Sequence, residues 1–370
     1  MTRERWKIHK FGGSSLADAE CFRRVGELLL DYSDQRIGVI VSAMGGMTDA
    51  LINLAVLAER DDRRFYDALD EIGERYATTA RGLIRGERLD ALLDDWGQDA
   101  SDIKDVLQAI ALVKSAPQRS RDVVAGYGEI WSARMLAAFL GQSSPKRGGT
   151  WLDARDFITV RQTELGPSVQ WERSQERFDK VVARDFAGVA VVTGFIASDE
   201  DGLQTTLGRN GSDFSAAIFA ALSGASELSI WTDVDGVMSA DPRQVPEAQV
   251  IDRLSYSEAM ELAYFGAKVI HPQTLGPAVE NDIPVLIRNS HNTEHRGSRI
   301  EKNADKIDSI KGITAIGGMA LVNLEGSGMI GVPGTADRLF RALKDAGVSV
   351  TLISQASSEH SICIAVPQSL

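Results

Sequence analysis

Lys10 stands two residues ahead of Gly12 and Gly13, straight after a short apolar run that begins at Lys7 and just before a helical pattern. A cation beside side-chain-free backbone lets main-chain N–H groups close on an anion, and a helix start adds unsatisfied N–H groups and partial positive charge. The chemistry that suits this arrangement is phosphate binding. A second turn, Gly208 to Asp213, presents the planar fork of Arg209, suited to carboxylate or phosphate, ahead of another helix. Two further loops, Ser42 to Asp49 and Thr232 to Arg243, add hydroxyls and a third cation. The chain holds no good match to G-x-x-x-x-G-K-[ST] or G-x-G-x-x-G, which argues against a P-loop or a dinucleotide fingerprint. Taken singly, each loop is no more than a turn between two elements.

The elements that must position these loops are short, apolar and β-branched: 37–41, 189–193, 228–232 and 284–288. Strands without polar alternation, separated by helical stretches, predict a buried and mainly parallel sheet covered on both faces. In such sheets ligands sit beyond the carboxyl ends of the strands, so the four loops are expected to converge on one crevice. Ser15 with Asp18 reads as a capping box, and Phe22, Val25, Leu28 and Leu29 continue as a stripe, predicting a helix that opens near Ser15. A second helix is expected after Gly211, with Phe214, Ile218, Ala221 and Leu222 inward. Residues 50–140 read as a mainly helical insertion. A charged, non-periodic stretch marks a linker over 305–312, dividing a domain at 1–304 from a smaller one at 313–370. The smaller one reads strand 320–324, helix 335–346 closed by Gly347, strand 348–354 and strand 361–366. That order is the first part of a ferredoxin-like unit, which leads us to expect a truncated module or one covered by another chain.

At 370 residues, two domains are the natural expectation. Hydrophobic residues make up 44% and charged residues 25%, the balance of an ordinary globular protein. A net charge of -12 argues against nucleic acid or an anionic membrane surface as partner, so any phosphate site must be local. Two cysteines, Cys21 and Cys363, are too few for a disulfide framework or a zinc site, and no signal peptide or membrane span is evident. The expected compartment is the cytoplasm.

Several segments in order carry a family resemblance: Lys10 to Ser15, Val41 to Met44, Gly128 to Ser132, Gly208 to Asp213, Trp231 to Gly236, Ala240 to Arg243 and Tyr264 to Pro272. Together they resemble the signatures of aspartate kinases, members of the amino-acid kinase superfamily. Trp6 to His9, Arg209 to Gly211 and Ser354 to Glu359 are most similar to the kinase half of bifunctional aspartokinase/homoserine dehydrogenases, and the C-terminal segment is similar to an ACT domain. The resemblance implies the amino-acid kinase fold, a three-layer sandwich, followed by a partial ferredoxin-like ACT module. It implies a phosphotransferase with a carboxyl acceptor: ATP and L-aspartate give 4-phospho-L-aspartate and ADP, with Mg²⁺, at the head of lysine, threonine and methionine biosynthesis. Since a β-carboxylate with a pKa near 3.9 is already ionised at neutral pH, no general base is required, and catalysis consists of positioning and charge neutralisation.

Residue by residue, Lys10, Gly12, Gly13 and Ser14 would hold the transferring phosphoryl group. By the family pattern Asp213 would organise the lysines and Mg²⁺, and Arg209, with Ser212 beside it, would clamp a substrate carboxylate. Glu129 would take the aspartate ammonium, with hydroxyl contacts from Ser42 and Thr48. Thr232, Asp233, Met238, Arg243 and Lys268 would hold the nucleotide. Ser14 replaces a commoner threonine, and Met238 stands where many members carry a tyrosine. Gln355 matches an effector contact, and the resemblance implies a homodimer through 313–370 with threonine or lysine as effector. His271, His291, His295 and His360 lack metal-ligand spacing and receive no role. Two other readings compete: a glutamate-type kinase of the same superfamily, which the Glu129, Ser42 and Thr48 segments and the ACT-like tail oppose, and a non-catalytic amino-acid sensor, which intact Lys10, Arg209 and Asp213 oppose.

Overall fold

The apolar runs form an eight-stranded sheet, seen in a computed structural model that describes residues 5–32, 36–145, 147–164, 166–183, 186–264, 271–304, 310–326, 332–355 and 361–369. In chain order β1 (Lys7–Phe11), a 3-10 turn over Gly13–Leu16 and α1 (Ala19–Asp31) come first, followed by β2 (Ile37–Val41). Four helices follow, α2 (Met47–Glu59), α3 (Phe65–Leu83), α4 (Glu87–Val113) and α5 (Gln118–Ser143), and then β3 (Gly149–Leu152). A hairpin of β4 (Val160–Thr163) and β5 (Gly166–Val169) precedes α6 (Trp171–Val181) and β6 (Val189–Thr193). A second hairpin, β7 (Ile196–Ser198) and β8 (Gln204–Thr206), leads into α7 (Gly211–Ser223) and β9 (Glu227–Thr232). The elements β10 (Arg253–Ser255), α8 (Tyr256–Tyr264), α9 (Pro272–Glu280), β11 (Val285–Asn289) and β12 (Ser298–Glu301) complete the first of two compact units, 1–313.

The sheet order is β10-β12-β11-β9-β1-β2-β6-β3, parallel except where β11 meets β12. Every residue of β2 and β6 is buried, which requires cover on both faces. Phe11, Val39, Val41 and Val191 pack with α1 to α5 on one side, and Ile8, Ile40, Val192, Leu228 and Val285 pack with α6 to α9 on the other. The result is the expected three-layer sandwich, with 50–140 wholly on one face.

Two boundaries in the first unit differ from expectation. The first α-helix opens at Ala19 rather than near Ser15: Asp18 is its N-cap, accepting from the Cys21 amide at 2.9 Å, while Ser15 is buried in the preceding 3-10 turn. The stretch assigned as linker ends docked on the first unit, where Lys311 Nζ lies 2.9 Å from Glu258 and the Ile313 amide donates to Ser239 O at 2.8 Å; residues 305–309 lie outside the described set.

The second unit, 314–370, contains β13 (Met319–Glu325), α10 (Thr335–Asp345), β14 (Leu352–Gln355) and β15 (Ser361–Pro367) in an antiparallel sheet of order β13-β15-β14. Leu339, Phe340 and Leu343 pack on Ile362, Ile364 and Val366. The expected strand at 348–354 begins only at Leu352. Gly347, with φ of 70°, and Val348 close α10 instead, their amides bonding Lys344 O and Leu343 O as a Schellman cap.

Candidate active site

Because β1, β2, β6, β9 and β11 are parallel and in register, Phe11 lies beside Val41 and Trp231, Val41 beside Thr193, and Trp231 beside Arg288. The segments that begin at residues 12, 42, 194, 232 and 289 or 290 therefore leave one edge of the sheet. Alternation along β1 sends Phe11 to one face and Lys10 to the other, toward α7. Lys10 Nζ lies 2.7 Å from Asp213 Oδ1, both side chains being largely shielded from solvent. A Cβ at Gly12 would sit 3.6 Å from that ammonium, and one at Gly13 only 3.0 Å from Ala43 O and 3.2 Å from Gly45 Cα. The two glycines thus keep the ammonium uncovered and let the loops after β1 and β2 meet.

Asp213 lies in the first turn of α7, whose N-terminus closes against the end of β6. A Cβ at Gly194 would stand 2.8 Å from Ser212 Oγ and from Val41 O, so Ser212 sits buried at the junction of β2 and β6. Arg209 is exposed on the turn before α7, between Gly208 (φ 72°) and Asn210 (φ 54°).

Glu129 differs most from what its sequence context suggests. It lies in the middle of α5 and, unlike most helix carboxylates, is only 3% exposed. Burial pushes its carboxyl up to about 8, while the Ala43 main-chain amide of the loop after β2 pulls the other way. Its Oε2 has no hydrogen-bond partner among the described residues. A buried acceptor of that kind suits an incoming cation. Ser42 and Thr48, in the same β2–α2 segment, are half-buried, and Met44 and Met47 between them belong to the core.

On the other side of β1, Thr232 ends β9 half-buried and Asp233 is exposed. Met238 pairs with Val250 in an isolated bridge, and Arg243 is exposed, its guanidinium engaged by Asp241 at 2.8 and 3.0 Å. That guanidinium, with the Arg243 amide, holds the Asp241 carboxyl down at about 2. Lys268 lies outside the described residues. The segment after β11 escaped sequence reasoning. Ser290 Oγ meets Ser15 Oγ at 2.8 Å, the Ser290 amide donates to Thr232 O at 2.9 Å, and Asn289 Nδ2 donates to Asp235 at 2.8 Å. It ties the first Gly loop to the loop after β9; the polar run Asn289 to Asn292 behind a buried strand was the available signal. His9, fully buried and held neutral by burial and the Arg288 charge with its pKa near 3, accepts from Trp231 Nε1 at 3.1 Å and stays in the core.

No three His, Cys, Asp or Glu side chains converge as a metal cage among the described residues. A shielded ammonium–carboxylate pair with two glycines beside it can bind a polyanion, and an exposed guanidinium and a buried carboxyl are groups that can take the two ends of a small zwitterion.

The chain matches the amino acid kinase family over residues 5–289 and an ACT domain over 322–370. It is 43% identical over 370 residues to bifunctional aspartokinase/homoserine dehydrogenase 1, chloroplastic, of Arabidopsis thaliana, covering 98% of this chain and 40% of that protein. It is 37% identical to the bifunctional aspartokinase/homoserine dehydrogenase of Haemophilus influenzae, covering 98% and 44%. The chain therefore spans only about two fifths of the length of such relatives. Among solved structures, Escherichia coli aspartokinase III in complex with aspartate and ADP aligns with a TM-score of 0.80 at 29% identity, covering 98% of this chain and 78% of that one. The same protein with lysine and aspartate gives 0.78 at 27%, covering 97% and 78%. With the family match running through nearly the whole sheet-forming unit, and relatives this similar along almost all of the sequence, the chain belongs to the amino acid kinase family and carries an ACT domain.

Proposed function

We propose that this chain is an aspartate kinase unit that transfers the γ-phosphoryl group of ATP to the β-carboxylate of L-aspartate. The observation that carries the reading is the Lys10–Asp213 pair, 2.7 Å apart at the sheet edge where five loops meet. The acceptor is an anion approaching a triphosphate, so the barrier is largely electrostatic. In this reading Asp213 fixes the Lys10 ammonium where charge develops between the β- and γ-phosphates, and the Gly12 and Gly13 amides and Ser14 receive the phosphoryl oxygens. Arg209 and Ser212 hold the α-carboxylate, while Glu129 takes the ammonium, with Ser42 and Thr48 as hydroxyl contacts. Thr232, Asp233, Met238, Arg243 and Lys268 hold the nucleotide. With no protein cage for it among the described residues, Mg²⁺ would come with the phosphates and would neutralise their charge.

The related aspartokinase III was solved with aspartate and ADP, which supports the same substrate pair here. We assign the ACT unit to homodimerisation and to threonine or lysine sensing at exposed Gln355, the second relative structure being a lysine complex. Among the described residues the outer edge of β13 pairs with no strand, and Leu321 and Val322 are exposed there, which supports a partner chain. A cytoplasmic setting, in which Cys21 and Cys363 stay as free thiols, belongs to the same proposal. Hydroxylamine trapping of the acyl phosphate, run with aspartate and with glutamate, tests the assignment. Aspartyl hydroxamate with matching ADP supports it; turnover of glutamate alone, or no ADP with either, overturns it. Threonine and lysine are tested by their effect on rate and melting temperature, and no response to either would remove the sensing role.

A further inference from the structure

We infer that Gln204 is a positioning residue that sets the span between Arg209 and Glu129; the inference rests on the aspartate reading of that crevice. Gln204 opens β8, and its amide reaches the backbone of α5: Nε2 donates to Asp122 O at 3.0 Å and to Val123 O at 3.3 Å. Oε1 accepts from Arg155 Nη1 at 2.6 Å, and both oxygens of Asp153 hold the Arg155 guanidinium. Two residues on, Thr206 Oγ1 donates to Asp122 Oδ1 at 3.3 Å, an oxygen that also accepts from Gln118 Nε2 at 2.8 Å.

The close approach needs Gly126. A Cβ there would lie 2.4 Å from Gln204 Nε2, within the distance real side chains avoid. Glu129 sits three residues beyond Gly126 on α5, and Arg209 three residues beyond Thr206 on the turn into α7. The staple therefore joins the helix that carries the ammonium partner to the strand that leads to the carboxylate partner. A zwitterion held at both ends reads the distance between those groups, and substrates differing by one methylene are separated by that distance.

Steady-state ADP release is measured on the whole chain for the wild type, Gln204→Ala, Gln204→Glu and Gly126→Ala. Each variant is expected to raise the aspartate KM on the order of tenfold, the worth of one or two net hydrogen bonds, while the ATP KM stays near wild type and kcat falls less than the KM rises. Gln204→Glu keeps an acceptor for Arg155 but loses the amide donors, so it should resemble Gln204→Ala. The Gly126→Ala/Gln204→Ala double variant should raise the aspartate KM by less than the product of the two single effects, because the Gln204 clash is gone while Ile196 Cγ2, 2.8 Å from the added Cβ, remains. An aspartate KM within twofold of wild type, or equal rises in both KM values, overturns the inference. Amide hydrogen exchange separates this outcome from failure of the aspartate reading, since it needs no substrate. Faster exchange across 205–210 in Gln204→Ala supports the staple, and unchanged exchange refutes it even if the wild type turns over no aspartate.

Discussion

Glu129→Gln separates the cost of burying a carboxylate from its use. In the folded chain the group titrates near 8 against 4.5 ordinarily. Between those values the native state keeps a proton that the unfolded chain has released, so this group makes stability fall as pH rises through the window and leaves it unaffected below. The full shift corresponds to about 5 kcal/mol as an upper bound, at roughly 1.36 kcal/mol per unit. Relaxation and water entry at the crevice reduce this to about 1–3 kcal/mol. Glutamine has nearly the same shape and never ionises. The variant should therefore melt close to wild type at pH 5 and a few degrees higher at pH 9, while its aspartate affinity drops on the order of 100-fold from loss of a charge-assisted contact. Melting curves at the two pH values and titration calorimetry with aspartate read both effects. A melting difference that does not change with pH would refute the buried, ionisable carboxylate, and unchanged aspartate affinity would remove Glu129 from the substrate site.

In the wild type the same group should make the aspartate KM fall as pH rises from 6 toward 8, up to about tenfold per unit, since the ammonium needs the ionised carboxylate; a flat profile would count against the pairing. Lys10→Ala should lower kcat by about 10²–10³ while aspartate affinity, measured by calorimetry, moves little, as expected of a group acting on the transition state; near-normal turnover would overturn its role. Gly13→Ala drives a methyl against Ala43 O and Gly45 Cα, so a loss of about 1–3 kcal/mol in stability together with reduced turnover is expected, and a variant equal to wild type in both would show that the two loops separate freely.

The parts of this protein legible in its sequence are those whose cause is local. Strands β2 and β6 announce themselves because both faces are covered and no charged residue interrupts them, and Lys10 with Gly12 and Gly13 shows by spacing a cation beside side-chain-free backbone, which becomes an anion turn only alongside the other loops. The start of α1 misled for a related reason: Ser15 and Asp18 both look like caps, and only the tertiary contact of Ser15 with Ser290, 275 positions away, draws Ser15 into the core and leaves Asp18 to cap. Glu129 looks like a surface charge until the loop after β2 folds over it. Gln204 carries no signal at all, since its carbonyl partner Asp122 is 82 positions distant and the requirement falls on a glycine in another element. Recognition groups can be named from residue types, but the spans between them are set by long-range contacts. Specificity in this crevice therefore depends on residues such as Gln204 and Gly126 that no local pattern marks.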